Sequence, residues 1–219
     1  MSNKNEIELK VAEFLLQIKA IKLQPNNPFT WASGWKSPIY CDNRITLSHP
    51  QIRTYLRQKL ASLVQEEFGS VSVIAGVATA GIPQGVLVAQ ELGLPFIYVR
   101  SAPKEHGRGN LIEGEFSEGQ RVVVIEDLIS TGKSSLQAVE ALRNAGLEVA
   151  GLVGIFNYGF DAAIDNFKNA KCRFTTLSNY NALIEYAAHH GFVSDEDLNL
   201  LRKWRENPSE WGNALQNIA

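Results

Sequence analysis

The chain opens with apolar residues at helical spacing and then changes to segments rich in turn-forming residues. The apolar residues that recur on one helical face are Ile7, Val11, Phe14, Leu15 and Ile18. They predict an amphipathic helix over residues 5–21. The segment 25–47 is rich in Pro, Asn, Gly and aromatic residues, which predicts turns and short strands. Ser48 and Pro50 then predict the start of a helix that runs to about Phe68.

From Val71 onward, runs of β-branched residues alternate with helical stretches. The runs are VSVIAG, FIYVR, RVVVIED and EVAGLVGIF, and helices are predicted over 82–92 and 133–145. Runs without polar alternation indicate strands buried on both faces, and intervening helices imply parallel connections between those strands. Four more elements complete the prediction: a helix near 160–169, a strand at 173–177, and helices that begin after Ser178 and Ser194.

These elements predict an α/β fold in which an open, mostly parallel sheet is flanked by helices. We expect one domain over residues 1–219, with an N-terminal helix followed by a hood at 1–48, an α/β core at 70–178 and C-terminal helices at 179–219. Ligands of such sheets bind at the carboxyl ends of the strands. Three loops are expected at that edge: GVATAGIPQG, RSAPKEHGRGNLIEG and EDLISTGKSS.

Composition narrows the classes of function. The chain is 45% hydrophobic and 20% charged with a net charge of −2, so it lacks the basic excess that binds nucleic acid. Its N-terminus has acids within the apolar pattern and no signal cleavage site, and no 18-residue apolar run predicts a membrane span. Cys41 and Cys172 are too few for a disulfide framework or a zinc knuckle. We therefore expect a cytoplasmic protein that binds neither nucleic acid nor a membrane.

The stretch VVVIEDLISTGKSS, residues 122–135, carries the clearest chemical signal. It ends like a nucleotide-binding P-loop, but the first glycine of that motif would fall on Asp127. Backbone N–H groups at the helix start, together with Ser and Thr hydroxyls, can hold a phosphate. Glu126 and Asp127 would instead accept hydrogen bonds from vicinal hydroxyls. The combination favours a ribose 5-phosphate, and the alternative is a solvated strand end followed by an ordinary capped helix.

The same stretch resembles the phosphoribosyl-pyrophosphate (PRPP) signature of the type I phosphoribosyltransferases. FTWASGWKSPIYCDNR at 29–44 is similar to the N-terminal segment of the orotate phosphoribosyltransferases, and VRSAPKEHGRGNLIEG at 99–114 to their mobile loop. The resemblance implies the type I phosphoribosyltransferase fold. It also implies Mg²⁺-dependent transfer of a phosphoribosyl group from PRPP to orotate, which gives orotidine 5′-monophosphate and pyrophosphate for pyrimidine (UMP) synthesis.

Roles for individual residues follow from the resemblance. The implied PRPP-binding set is Arg100, Lys104, His106, Glu126, Asp127, Leu128, Ile129, Ser130, Thr131, Gly132, Lys133 and Ser134. The implied orotate-binding set is Phe29, Lys36, Arg44 and Ser130. Lys104, His106 and Asp127 are implied to be catalytic. For Phe29 and Trp31, contact with the substrate and packing in the core remain alternatives.

The resemblance also bears on the cofactor and the partners. Mg²⁺ is expected to arrive with PRPP, without direct side-chain ligands, because it prefers phosphate oxygens and water. In this family the mobile loop reaches the neighbouring subunit, which implies a homodimer with shared active sites. Ala32 and Ala80 replace lysines found in many members, and Lys36 is a candidate replacement for the first of them. The alternatives are a phosphoribosyltransferase for another base and a PRPP-sensing regulator.

Overall fold

The computed structural model describes residues 3–31, 33–102 and 111–211 and contains the predicted sheet. The strands are β1 (Ile21–Leu23), β2 (Phe29–Thr30), β3 (Lys36–Ser37), β4 (Ile39–Cys41), β5 (Val73–Val77), β6 (Phe96–Val99), β7 (Ile112–Glu113), β8 (Arg121–Ile129), β9 (Glu148–Asn157) and β10 (Phe174–Asn179). Six of them form the main sheet in the order β10-β9-β8-β5-β6-β7. The edge strand β7 runs antiparallel to β6, and the other neighbours in this sheet are parallel. The mostly parallel α/β sheet predicted from the sequence is confirmed.

Helices cover both faces of this sheet. They are α1 (Asn3–Gln17), α2 (Pro50–Phe68), α3 (Gly81–Leu92), α4 (Lys133–Asn144), α5 (Asp161–Asn169), α6 (Tyr180–His189) and α7 (Asp195–Glu206), with a 3₁₀ helix at Asn43–Ser48. Val123 and Ile125 of β8 join an apolar cluster with α1 and α2, whereas Val122 and Val124 join a second cluster with α4 and α5. Because successive residues of a strand face opposite sides, a doubly covered strand needs apolar residues at every position. No helix within the described ranges is long and apolar enough to cross a membrane.

The N-terminal helix is shorter than its apolar spacing predicts. α1 ends at Gln17, and Lys19 has a left-handed φ of 58°. Residues 21–23 then form β1, which pairs antiparallel with β4 in the hood. The predicted helix end at residue 21 is therefore wrong, because backbone hydrogen bonds to β4, about twenty residues away, outweigh the local helical pattern.

Two helix caps lie one residue beyond their predicted positions. α2 has His49 rather than Ser48 at its N-cap, and α6 has Asn179 rather than Ser178. Ser178 instead donates its hydroxyl to the backbone carbonyl of Glu8 in α1 at 2.8 Å. Asn179 caps α6 because its side-chain oxygen accepts the backbone N–H three residues further along at 3.1 Å.

A cluster of aromatic rings joins the hood to α7, which begins directly after the predicted cap residue Ser194. Trp204 of α7 is fully buried, and its ring centroid lies 5.6 Å from Trp31 and 5.8 Å from Tyr158. Trp31 also lies 5.2 Å from Tyr158 and donates its indole N–H to the carbonyl of Ile39. Of the two alternatives for Trp31, the structure selects packing in the core.

Removing the ring at the centre of this cluster should destabilise the protein. Trp204→Ala is expected to lower the free energy of unfolding by about 3–5 kcal/mol, because a fully buried ring is lost and a cavity remains. Urea unfolding followed by circular dichroism measures the change. Phe192→Ala is the matched control, since that ring is 48% exposed and should cost clearly less. Equal losses for the two variants would contradict a central role for Trp204.

Candidate active site

The acid pair predicted from the sequence lies at the carboxyl end of β8. This strand lies between β5 and β9 and continues to Ile129, two residues beyond the predicted strand end at Asp127. Glu126 is in register with Gly154 of β9, and the turn at 130–132 follows the strand. The pair therefore sits at the edge of the sheet where ligands of parallel α/β folds bind.

Glu126 is nearly enclosed, with 5% of its surface exposed, and each carboxylate oxygen has its own donor. Oε1 accepts a hydrogen bond from the backbone N–H of Asp127 at 3.1 Å, and Oε2 accepts one from the hydroxyl of Ser135 at 3.1 Å. Burial, followed by the charge of Asp127, raises the pKa of Glu126 well above its usual value of 4.5. Glu126 therefore holds a proton more readily than an exposed glutamate does.

Asp127 is the more accessible of the two acids. Burial raises the pKa of Asp127, whereas a hydrogen bond from the Glu126 carboxyl and the charge of Arg44 oppose that rise. The two acids titrate as a coupled pair, and burial raises the pKa of both.

The turn after β8 leads into the N-terminus of α4. Gly132 caps this helix with a φ of 78°, and a Cβ at this position would lie 2.5 Å from a ring carbon of Phe167. Neither the backbone conformation nor the space admits a larger residue. The N–H groups of the first helical turn have no partner within the helix, and Lys133 and Ser134 are exposed beside them. This end of α4 can hold a phosphate.

Two members of the predicted PRPP-binding set contribute their side chains to packing. Ile129 is 1% exposed, and its carbonyl accepts a hydrogen bond from the N–H of Tyr158 at 3.1 Å. Leu128 is half-buried and packs against the larger apolar cluster. Contact between Ile129 and a ligand would therefore have to come from its backbone N–H.

A contact between the hood and the acid pair was missed by the reasoning from sequence. Asn43 is fully buried, and its side-chain amide donates to the backbone carbonyl of Asp127 at 2.6 Å. Thr46 donates to the carbonyl of Asn43 at 2.6 Å and accepts from Gln84 of α3 at 3.2 Å. These hydrogen bonds link the hood and α3 to the end of β8. The signal in the sequence was the position of Asn43 beside the candidate Arg44.

The two cations predicted to bind orotate already have partners within the hood. Lys36 donates its ammonium to the hydroxyl of Thr30 at 2.8 Å, across the hairpin of β2 and β3. Arg44 donates through Nε and Nη2 to the two oxygens of Asp42, at 2.6 and 2.9 Å. The Arg44 side chain is 63% exposed, and its guanidinium has five N–H donors in all. Asp42 therefore orients Arg44 without using all of its donors.

The hood also presents a pair of accessible rings. The Phe29 ring lies 5.6 Å from that of Tyr40, which is 40% exposed. Tyr40 follows Ile39 in β4 and was not predicted as a site residue. Its exposure is the feature that marks it, because large rings of a folded protein are usually covered. The two ring planes are inclined at 41° to each other, so either ring alone, but not both together, can lie flat against a planar ligand.

The loop after β5 approaches β8 closely. The peptide bond between Ala78 and Thr79 is cis, and α3 begins soon afterwards at Gly81. A Cβ at Gly81 would lie 2.5 Å from the backbone carbonyl oxygen of Ile125. Only glycine permits this approach, which brings the loop after β5 beside the strand that carries the acids.

A cavity of 310 Å³ lies between the ends of β5 and β6 and the outer side of α4. Arg100 and Ser134, both in the predicted PRPP-binding set, contribute to its lining. Arg100 also lies 3.6 Å from the carboxylate of Glu113. The structure thus brings the cation after β6 near the start of α4. The predicted residues Lys104 and His106 lie outside the described residues.

Comparisons with known proteins agree with this geometry. The family model of the phosphoribosyl transferase domain matches residues 46–185, which include the acid pair and the helix start. The orotate phosphoribosyltransferase of Phocaeicola vulgatus is 59% identical over 94% of this chain and 97% of its own. The chain belongs to the orotate phosphoribosyltransferase family.

Other members of the orotate phosphoribosyltransferase family extend the likeness. The enzyme of Porphyromonas gingivalis is 58% identical over 92% of this chain and 96% of its own. The crystal structure of orotate phosphoribosyltransferase from Aeropyrum pernix superimposes with a TM-score of 0.72 at 27% identity, over 84% of this chain and 99% of the other. The fold, the sequence and the motif at the end of β8 therefore lead to the same family.

In the parts of this family member that the structure describes, no group of three or more His, Cys, Asp or Glu side chains could hold a metal ion. Both carboxylate oxygens of Glu126 already accept hydrogen bonds from protein donors.

Glu126→Gln should make folding less sensitive to alkaline pH. The folded-state pKa of Glu126 is raised, so its contribution to stability is present below the ordinary value of 4.5 and is lost as pH rises through the raised value. Glutamine stays neutral. The difference in melting temperature, variant minus wild type, should therefore be larger at about pH 9 than at about pH 5. Glu206→Gln, at an exposed glutamate of α7, is the control. A Glu126→Gln difference that does not change with pH would refute the assignment.

Proposed function

We propose that this protein transfers the 5-phosphoribosyl group of PRPP to orotate, which yields orotidine 5′-monophosphate and pyrophosphate in de novo pyrimidine (UMP) biosynthesis. The observation that carries the proposal is the adjacency of an acid pair, Glu126 and Asp127, to an open helix N-terminus at Lys133. The names of the similar proteins from P. vulgatus and P. gingivalis support orotate as the acceptor.

The 5′-phosphate of PRPP binds at the start of α4. Backbone N–H groups of the first turn point at the phosphate oxygens, and the hydroxyls of Ser130, Thr131 and Ser134 add donors. Gly132 lets the backbone lie close to the ligand because glycine has no side chain. Its left-handed φ of 78° is also a conformation that favours glycine. A terminal phosphate monoester suits this site, since one turn of a helix provides donors for one group.

The ribose hydroxyls meet the acid pair. A vicinal diol donates two protons, and carboxylate oxygens accept them. Departure of pyrophosphate leaves positive charge on the ribose ring, in an oxocarbenium-like transition state. Asp127 and Glu126 stabilise that charge because their carboxyl groups are fixed in position before the reaction begins.

Orotate is a planar anion and approaches from the hood. Arg44, oriented by Asp42, presents free donors to the orotate carboxylate. One ring of the Phe29 and Tyr40 pair covers one face of the pyrimidine. Ser130 and Lys36 are also proposed to contact orotate.

We propose Mg²⁺ as the cofactor, carried into the site by the oxygens of PRPP. The ion supplies charge neutralisation for the departing pyrophosphate. Glu126 and Asp127 would act on the ion through water, because Mg²⁺ needs few direct side-chain ligands when phosphate oxygens are present. On the protein side, Arg100, Lys104 and His106 hold the pyrophosphate, which keeps its negative charge paired as the bond breaks.

We also propose that the protein is a homodimer in which the loop that carries Lys104 and His106 reaches the partner's site. A groove between α2 and α3, in which Val86 is 43% exposed, supports this proposal because it offers a surface on which a second subunit can pack. We place the reaction in the cytoplasm, a reducing compartment that suits the two free thiols.

Purified protein with PRPP and Mg²⁺ should consume orotate and release pyrophosphate. The loss of orotate absorbance measures the reaction, and an excess of EDTA should abolish it because the free pyrophosphate charge is then uncompensated. Adenine and hypoxanthine are the matched alternative acceptors. Consumption of either base in place of orotate would refute the proposed acceptor, and PRPP binding without turnover of any base would favour a regulator.

Lys104→Ala should lower kcat about 100-fold while changing PRPP affinity less, because the lysine acts on charge that grows in the transition state. Steady-state kinetics with both substrates measure the change. Lys203→Ala, at an exposed lysine of α7, is the control and should leave kcat unaltered. Unchanged turnover in Lys104→Ala would show that this lysine is not catalytic.

Mixing Lys104→Ala subunits with Asp127→Asn subunits extends this experiment to the shared site. Random exchange makes half of the dimers mixed, and each mixed dimer has one intact site if the loop acts across the interface. Activity should then recover to about a quarter of that of the wild type. No recovery after verified exchange would mean that the loop serves its own subunit.

A further inference from the structure

The last serine of the motif, Ser135, has no role in the phosphate site described above. It is the third residue of α4 and is 1% exposed, whereas its neighbour Ser134 is exposed. Adjacent helical residues point in different directions, so the two hydroxyls cannot serve the same group. The Ser135 hydroxyl faces the end of β8 and donates to Oε2 of Glu126 at 3.1 Å.

This hydrogen bond completes the fixation of the Glu126 carboxylate. The backbone N–H of Asp127 already donates to Oε1, so the two donors hold the two oxygens and define the plane of the group. A glutamate has rotatable bonds that a ligand would otherwise have to immobilise on binding. A buried serine in a helix often donates to a backbone carbonyl four residues earlier, but here its acceptor is a side chain on another element.

The same bond ties the ribose acids to the phosphate-binding helix. It spans nine residues of sequence, from the end of β8 to the first turn of α4, and closes the turn that contains Gly132. The covalent structure of PRPP limits the distance between the ribose hydroxyls and the 5′-phosphate to a narrow range. A contact that fixes the acid relative to the helix start therefore matches the protein to that distance.

We propose that Ser135 is a positioning residue, which orients the carboxylate of Glu126 toward a ribose hydroxyl of PRPP and holds it in register with the phosphate site. This inference rests on the proposed function. Ser135 touches no reacting atom and acts through Glu126 alone.

The electrostatics of the site agree with this geometry. Burial and the Asp127 charge raise the pKa of Glu126, and the Ser135 hydroxyl acts in the opposite direction by favouring the ionised form. Other groups that act on the pair are Arg44, whose charge lowers the pKa of Asp127, and the Cys41 thiol and Tyr158 hydroxyl, whose pKa values are raised by burial first and also by Asp127. Loss of the hydroxyl should therefore favour protonated Glu126.

Ser135→Ala should lower kcat/KM for PRPP about tenfold, with KM for orotate changed less than about twofold. The acidic limb of the pH profile of kcat/KM should move to higher pH, because Glu126 then keeps its proton longer. Val139→Ala is the matched control, since it truncates another buried side chain of α4 that belongs to the second apolar cluster. It should reduce thermal stability without moving the pH profile. An equal shift of the kcat/KM pH profile in both variants would show that Ser135 contributes only packing.

A double-mutant cycle separates action through Glu126 from a general effect. Glu126→Asp shortens the side chain by one methylene and withdraws it from Ser135, so adding Ser135→Ala should then cost less than about twofold. Equal losses from Ser135→Ala in both backgrounds would overturn the proposal, as would an unchanged kcat/KM in the single variant. Calorimetric titration of the wild type with PRPP and Mg²⁺ comes first. Absence of PRPP binding there would reject the proposed function itself, whereas wild-type binding and turnover with an inert Ser135→Ala would reject only the positioning role.

Discussion

The rest of the site depends on one constraint, which is the cost of burying two carboxyl groups. They lie at the end of β8, a strand that is covered on both faces. Removing a carboxylate from water is costly unless hydrogen bonds or a proton compensate it. Glu126 accepts hydrogen bonds from the backbone of Asp127 and from Ser135, and burial followed by the charge of Asp127 raises its pKa. Asn43 secures the backbone of Asp127 from the other side.

This compensation couples three parts of the fold that are distant along the chain. Ser135 brings in the start of α4, and Asn43 brings in the hood. The hood is held in turn by Trp31, whose ring packs against Tyr158 and against Trp204 of α7. The helix α7 thus supports the hood through ring packing, although none of its residues was predicted to bind a ligand. A perturbation of the aromatic cluster reaches the acids through these contacts.

Along the carboxyl edge of the sheet, hydrogen-bond donors and acceptors follow the same order as the groups of the proposed substrates that they would bind. The helix N-terminus at Lys133 offers donors for a phosphate, and the acids one loop away offer acceptors for hydroxyls. Beyond them, the hood offers an oriented guanidinium on Arg44 and the rings of Phe29 and Tyr40. Donors followed by acceptors suit a phosphate that lies next to a vicinal diol, as in a phosphoribosyl group.

Patterns between near neighbours were readable from the sequence. The apolar runs predicted doubly covered parallel strands, and the acids followed by Ser-Thr-Gly predicted a strand end with an acid pair next to the start of a helix. The cap at Ser194 was also predicted, because capping depends on residues three positions apart. Contacts between distant segments were not readable. The pairing of β1 with β4 shortened the first helix, and the hydroxyl of Ser178 bonded to Glu8 of the distant helix α1.

The sequence by itself determined the hydrophobic periodicity of the helices and strands, and it determined which chemical groups follow one another at the end of β8. Both depend on residues that are close together along the chain. Only the tertiary structure decided that Asn43, 84 residues before Asp127, would hold its carbonyl, and that Ser135 would turn inward to Glu126. It also decided that Trp31 would enter the core. Each outcome depends on which segments pack together and on which polar atoms lose water when they do. That selection is a property of the whole fold rather than of any local pattern.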